Sequence, residues 1–461
     1  MTTRAALGAT RLAGLLIAAA SMTPAPAVAG GMVLPVRGVR SVERAGAFVA
    51  GADDADALWQ NPAGLAHLTA RSGKQTRALL FDAAYVAQSV DHERVDAAGV
   101  QPKVANDQPG QVIPTLAGAL GIDDRFVIAG GIAAPYLPLH RYATDGPQRY
   151  ASVGLDGSTF VIVTVGAGVR VSDRLRVGAT LQDLVSTVKS RVVVSGCPDG
   201  TTCAPNDRSY DAALSIEQTD YVSPSFSIGA QYDASDAITL GLVVQGPQRI
   251  AGSGTLALEL PSAPEFENAT VVGDRGAIRF TLPPSLRVAV EWRPNPALRV
   301  EAALGAELWS MHDELELAPD AVAIDNVVGA GAPIALRAMT IPRDYETSYA
   351  PSIGVEWHGP KLMLGAGYAY ETAAAPRGTV SVLTVDAAKH LVGIGGGYED
   401  GGWQIGAALA YVAVADVDVA LADSQVQQLA PLRDSPTGTV VNAGSYRSSD
   451  LVAGLRFARR W

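Results

Sequence analysis

Past its first thirty residues this chain of 461 has no apolar run approaching the roughly 20 residues that a membrane-spanning helix requires. Instead it repeats, many times over, a segment of about ten residues in which apolar and other side chains alternate. Successive side chains of an extended strand point to opposite faces, so each segment offers one row to hydrocarbon or a core and the other to a polar surround. From Leu286 the apolar row is Leu286, Val288, Val290 and Trp292, interleaved with Arg287, Ala289 and Glu291. The next segment sets Leu298, Val300, Ala302, Leu304, Ala306 and Leu308 against Arg299, Glu301, Ala303, Gly305 and Glu307. Tyr349 to Trp357 and Leu362 to Tyr370 follow the same rule.

A soluble sandwich alternates too, and the connections separate the two. The pattern predicts strands near 77–90, 112–121, 126–136, 159–171, 174–188, 223–233, 237–245, 284–292, 297–310, 348–358, 361–371, 390–399, 403–414 and 447–461, fourteen in all. Very short turns (Asp123-Asp124, Ser172-Asp173, Ala234-Ser235, Pro294-Asn295-Pro296, Gly359-Pro360, Gly401-Gly402) alternate with much longer polar segments, as in outer-membrane barrels. An even count puts both chain ends on the short-turn side and lets the sheet close, leaving no edge of unpaired backbone groups in hydrocarbon. Tyr136, Trp292, Trp309, Trp357, Tyr398, Trp403 and Tyr411 fall near segment ends, where interfacial aromatic girdles belong.

The amino terminus has the form of an export signal: Arg4 and Arg11, an apolar stretch from Leu12 to Ala20, and the small-x-small site Ala27-Val28-Ala29 before Gly30. Formal charge is −11; the first 29 residues carry two arginines and no acid, which leaves the remainder at −13. That balance argues against a nucleic-acid partner. The two cysteines, Cys197 and Cys203, lie in one polar segment, and in an exported protein they are expected to form a loop disulfide. The last strand carries Leu451, Ala453, Leu455, Phe457 and Trp461 on one face, with Arg459 the exception. A terminal aromatic on such a strand is similar to the mark by which barrels are recognised by their assembly machinery, although Phe is commoner there than Trp.

About forty residues between the cleavage site and the first strand are neither alternating nor low in complexity. Asp53 or Asp54 is placed to cap a short helix that stops at Asn61 before Pro62. So much Ala, Leu, Val and Trp suits a compact plug inside the lumen better than a linker. The expected division is a signal peptide over 1–29, a hatch over 30–73 and a transmembrane β-barrel over 74–461: an all-β fold of fourteen antiparallel strands with an N-terminal hatch in the lumen.

At Asn61-Pro62-Ala63, preceded by Asp54-Ala55, the chain resembles the FadL/TodX family of outer-membrane transporters for hydrophobic compounds. Two further stretches carry the resemblance. One runs from Leu282-Pro283-Pro284-Ser285-Leu286 to Trp309-Ser310; the other is Gly367-Tyr368-Ala369-Tyr370-Glu371 followed by Asp386, His390 and Gly395 to Tyr398, with Glu371 where Asp is usual. The likeness is weakest between about 190 and 280. It implies a monomeric barrel whose partners are hydrophobic small molecules, long-chain fatty acids among them, and the lipids and lipopolysaccharide of the outer membrane. It also implies passive uptake past the hatch, with lateral release through a break in a strand wall. Ala133-Ala134-Pro135 either supplies that break, since proline removes a ladder donor, or merely ends the third strand.

Catalytic chemistry has no foothold in the sequence. The six histidines, His67, His92, His140, His312, His358 and His390, lack metal-binding spacing and read as surface or lumen residues, and neither a nucleophile elbow nor a phosphate loop occurs. No enzyme activity, metal or cofactor is expected. A carboxylate drawn from water needs a cationic partner. Candidates pointing inward are Arg170, Arg176, Arg287, Arg299 and Lys361, with Lys189, Arg191, Arg337 and Arg343 at loop bases; most are expected to pair with Glu301, Glu307, Glu356 or Glu371. The substrate-binding residues stay open, and a surface-interaction barrel without transport is the alternative.

Overall fold

The structure, a computed structural model, describes residues 37–70, 75–135, 139–434 and 437–461. The expected signal peptide, the start of the expected hatch and Tyr136 lie outside the described residues. Fourteen strands form the wall: β1 Arg77–Asp96, β2 Gln111–Gly121, β3 Phe126–Ala133, β4 Thr159–Arg170, β5 Leu175–Ser195, β6 Pro224–Ser235 and β7 Ile238–Gln245. The second half is β8 Ser285–Asn295, β9 Leu298–Glu307, β10 Ser348–His358, β11 Leu362–Glu371, β12 Lys389–Asp400, β13 Trp403–Val414 and β14 Gly444–Arg460. Each pairs antiparallel with the next. β14 returns to β1 in continuous register from Ala78–Arg460 to Arg94–Gly444, so the sheet closes.

Alternation decides which way each side chain faces. Leu286, Val288, Val290 and Trp292 are exposed on the outside, as are Ile353, Leu364, Ile394, Leu409 and Leu455, whereas Glu291, Arg299, Glu301 and Glu356 are buried in the lumen. Outward aromatics gather at two levels. Trp292, Trp357, Tyr398, Trp403, Phe457 and Trp461 lie near the short turns, and Tyr85, Tyr349, Tyr368 and Tyr411 near the long connections. Trp309, expected in that girdle, is instead fully buried in the short turn Trp309–Met311, where its Nε1 donates to Glu307 and its ring meets Tyr345 and His312. The strand it was assigned to ends at Glu307.

The long connections, expected as polar loops, extend the wall's sheet beyond the barrel. β1 and β5 run on past the wall to Asp96 and Ser195. Ser186–Ser195 of β5 pairs with strand Asp211–Asp220, and the ladder continues through Ser253–Glu259, Arg275–Leu282, Glu314–Asp320 and Met339–Pro342. This extracellular roof has its own apolar core, including Val192, Leu214, Ile216, Leu256, Phe280 and Leu317. Cys197 and Cys203 are disulfide-bonded in the connection between its first two strands. His92, His140 and His312, read from sequence as surface or lumen residues, are buried among the long connections and upper strand ends.

The hatch fills the barrel beneath. Helix α1 (Val39–Glu43), helix α2 (Ala57–Gln60) and a 3-10 turn (Pro62–Leu68) are almost wholly buried. Val39 and Val42 pack against β12, β13 and β14; Leu58, Trp59 and Leu65 pack against the β1–β3 side. α2 stops at Asn61 as expected, but its N-cap is Asp56 and no side chain caps it. Asp53 and Asp54 pair with Arg40, and Asp54 Oδ1 also accepts the Asp56 N–H (2.9 Å).

The orientation of the wall predicts a depth-dependent penalty. Ile394→Arg, in mid-strand on the lipid face, should lower the stability of the folded barrel by about 2–4 kcal/mol, while Val272→Arg in the extracellular part should leave it within about 0.5 kcal/mol. Urea unfolding in lipid vesicles reads both.

Candidate functional site

Three features lie along the barrel axis: a hatch that blocks it, an apolar pocket above and a short strand in the wall beside it. The hatch is held first by Asn61-Pro62-Ala63. The Asn61 amide nitrogen donates to the Val49 carbonyl (3.0 Å) and to the Ala230 carbonyl of β6 (3.2 Å), while its oxygen accepts from the Ala63 N–H (3.2 Å). Gly178 and Gly229 are cross-strand partners of β5 and β6, and a Cβ on either would collide with Pro62 or Asn61. The glycines therefore let the motif reach the wall backbone. Gly393 and Gly395 do the same for Val42 and Glu43 of α1. Gln231 adds donations to the carbonyls of Val49, Ala50 and Ala52.

Charge holds the opposite flank. Arg44 of the hatch pairs with Glu291, Glu301 and Glu356 at 3.1–3.3 Å, and Arg40 with Asp53, Asp54 and Glu356 at 2.7–2.9 Å. Arg299 of β9 reaches Asp53 (2.7 Å) and Arg456 of β14 reaches Asp54 (2.5 Å). Glu301 also accepts the N–H groups of Val49 (2.6 Å) and Gly51 (2.7 Å). Removing one member of such a buried set leaves a charge without a partner, at a cost of about 3–5 kcal/mol. Against this, Glu43 and Asp56 bury both carboxylate oxygens with no hydrogen-bond donor. The hatch is thus pinned at one set of points and strained at another.

Above the hatch, a cleft between the roof sheet and the 139–160 connection is lined by Leu155, Phe160, Val192, Phe280, Leu317 and Ile341, with Arg343 and Thr384 among few polar residues. Below the hatch the surroundings reverse: Arg40, Asp53, Asp54, His358, Arg456 and Arg460 line the cavity that faces the short-turn end.

β3 is the shortfall in the wall. It ends at Ala133, opposite Thr115 of β2 and Ile162 of β4. β2 continues to Gln111 and β4 begins at Thr159, so Gln111–Pro114 and Thr159–Val161 face a level that β3 does not reach. There the Ala134 N–H still donates to the Pro114 carbonyl (3.2 Å), and Pro135, which has no N–H, is buried. Just beneath, Gly131 makes room for the Trp59 ring, whose Nε1 donates to Thr164 of β4 (3.0 Å). The hatch touches the wall where the strand gives out.

The candidate cations divide sharply. Arg170 bonds Thr69, Arg176 pairs with Asp233, and Arg287 donates to the Trp59 and Gln60 carbonyls. Arg299 sits in the hatch network. Lys361, expected inside the lumen, is exposed at a short turn and pairs with Asp400. Lys189, Arg191 and Arg337 pair with Glu217, Glu259 and Asp434. Arg343 alone of this group borders the apolar cleft. No metal-ligating cluster occurs among the described residues. Sequence reasoning missed the cleft itself; the alternation in Ala212-Ala213-Leu214-Ser215-Ile216 and Ala277-Ile278-Arg279-Phe280 was the available signal.

Residues 19–448 match the sequence profile described as "Outer membrane protein transport protein (OMPP1/FadL/TodX)". Among solved structures, a Pseudomonas aeruginosa FadL homologue superposes with a TM-score of 0.73 at 17% identity, covering 93% of this chain and 99% of the other. The P. putida toluene transporter TodX gives 0.62 at 16% and the Ralstonia pickettii toluene transporter TbuX 0.61 at 15%, each with coverage of 93% and 99%. At such identities these likenesses speak for the fold. No curated protein matches the chain at a significant level.

The hatch contacts predict that Asn61→Ala weakens docking by about 1–2 kcal/mol. Hydrogen exchange should then rise at the amides of 49–63, with strand amides unchanged and the barrel still resistant to unfolding in detergent.

Proposed function

The chain belongs to the OMPP1/FadL/TodX family of outer membrane transport proteins, and we propose that it carries long-chain fatty acids or related hydrophobic compounds inward by passive diffusion. It is a barrel of the bacterial outer membrane. The observation that carries the reading is the apolar cleft under the roof, set apart from the charged cavity at the short-turn end by the hatch.

An apolar molecule gains about 25 cal/mol per Å² on entering the cleft, and it has no comparable place beneath the hatch, where Arg40, Asp53, Asp54 and Arg456 line the cavity. The favourable exit is sideways into hydrocarbon. The level above Ala133, where the β3 ladder gives out after the Ala134 N–H, supplies the opening. Pro135 keeps it open by withholding a donor from the ladder. Displacement of the hatch segment around Trp59, against Gly131, widens the route, and Asn61-Pro62-Ala63 sets how tightly that segment docks. The gradient of the substrate drives the movement.

Deleting the gene should reduce uptake of a radiolabelled hydrophobic probe several-fold while uptake of a small sugar stays unchanged. Equal loss of both would mark a general porin, and no loss of either a barrel without transport.

A further inference from the structure

Two acids of the hatch depart from the rule that a buried charge is paired. Glu43 closes helix α1 and Asp56 precedes helix α2, and both are fully buried. Neither oxygen of either carboxyl has a hydrogen-bond partner, and no cationic nitrogen lies within 4.0 Å of them among the described residues. The neighbouring arginines are committed elsewhere: Arg40 to Asp53, Asp54 and Glu356, Arg44 to Glu291, Glu301 and Glu356, and Arg456 to Asp54 and Asp82. A carboxylate taken from water without a donor is costly, whereas the protonated group is neutral.

The wall behind Glu43 brings no donor side chain. Gly365 of β11 and Gly395 of β12 face it, and a Cβ on either would collide with the Glu43 side chain. The charges around it are Glu356 of β10, Arg40 and Arg44 of the hatch, and Arg456 of β14. Asp56 lies against Gly38 and faces Asp54 on its own segment, Asp82 of β1, Arg456 of β14 and Arg40 of α1, with Arg37 and Arg287 of β8 beyond. Burial, and after it the Glu356 charge, lifts the Glu43 carboxyl to about 7; burial, then Asp54 and Asp82, holds Asp56 well above the usual carboxylate range. Returned to water, each titrates near its ordinary value of about 4. The docked hatch therefore holds more protons than a released one. Below about pH 4 the two acids do not oppose docking; as pH climbs from there through 7 the released form gives up its protons first, and docking weakens.

We propose that the hatch is a proton-operated catch: Glu43 and Asp56 are protonated while it is docked, their ionisation releases it, and rising pH increases passage through the barrel. The link to passage rests on the reading that displacement of the hatch widens the route. Asp56 begins the helix that carries Trp59 to Gly131 and Thr164, so its ionisation loosens the segment beside the gap above Ala133. Glu43 acts on the other flank, where α1 packs on β12, β13 and β14.

Hydrogen exchange of the purified full-length protein in lipid nanodiscs, corrected for the intrinsic effect of pH, reads the catch directly. Protection of the amides of 39–60 should fall about tenfold or more between about pH 5.5 and 8.5, with the amides of the β1–β14 seam unchanged. Glu43→Gln combined with Asp56→Asn, neutral at every pH, should keep protection high and flat. Heat-modifiable migration on gels establishes that each variant is folded; should the double variant not fold, Glu43→Gln alone decides, its fall being smaller than that of the wild type. Flat protection in the wild type, or an undiminished fall in the folded variant, overturns the catch. Influx of radiolabelled decanol, whose own charge does not change over this range, into vesicles holding the protein should rise along the same pH profile and be flat in the double variant. Protection that falls while influx stays constant leaves the catch standing and overturns the hatch as the gate of the transport path.

Discussion

Inside hydrocarbon a backbone N–H or carbonyl has no water to bond, and the whole molecule is arranged around satisfying those groups within one closed sheet. β14 meets β1 along nearly its full length, and that seam turns fourteen strands into a wall without edges. Closure at this strand number leaves a lumen too wide for side chains alone to fill. The hatch fills it, and its attachment follows from the same geometry: inward positions that are glycine admit the hatch backbone, and inward positions that are charged pair with it. Gly178 and Gly229 receive Pro62 and Asn61, and Glu291, Glu301 and Glu356 receive Arg44.

The same wall sets a direction. Above the hatch the strands leave the membrane and fold over into a roof with an apolar underside; below it the lumen is lined by Arg40, Asp53, Asp54 and Arg456. The short β3 lies between the two, at the level where Trp59 of the hatch touches Gly131 and Thr164.

Much of this was legible in the chain because a lipid-facing strand announces itself locally. Leu286-Arg287-Val288-Ala289-Val290 states its two faces without reference to any partner, and all fourteen wall strands could be placed from such patterns and from turns such as Gly401-Gly402. The roof was not legible in the same way. Thr255-Leu256-Ala257-Leu258 alternates as clearly, but its partners lie at Asp211–Asp220 and Arg275–Leu282, and nothing local says that these segments meet. Trp309 misled for a related reason: an aromatic at a strand end is equally suited to an interface and to the core of an adjoining domain. Arg343 was one basic residue among nine in sequence. Only the assembled structure shows that the others have partners, while Nε and Nη2 of Arg343 have none among the described residues.

The central claim is that an apolar molecule leaves the protein sideways, through the gap above Ala133, and does not pass down into the charged cavity. It is tested most directly in vesicles whose outer leaflet is lipopolysaccharide, by following whether a radiolabelled hydrophobic probe reaches the bilayer or the enclosed water first. A charge placed in the gap, Ala134→Asp, should slow arrival in the bilayer at least tenfold, because an apolar molecule would then have to pass a carboxylate. Label appearing first in the enclosed water, at a rate untouched by Ala134→Asp, would contradict the account.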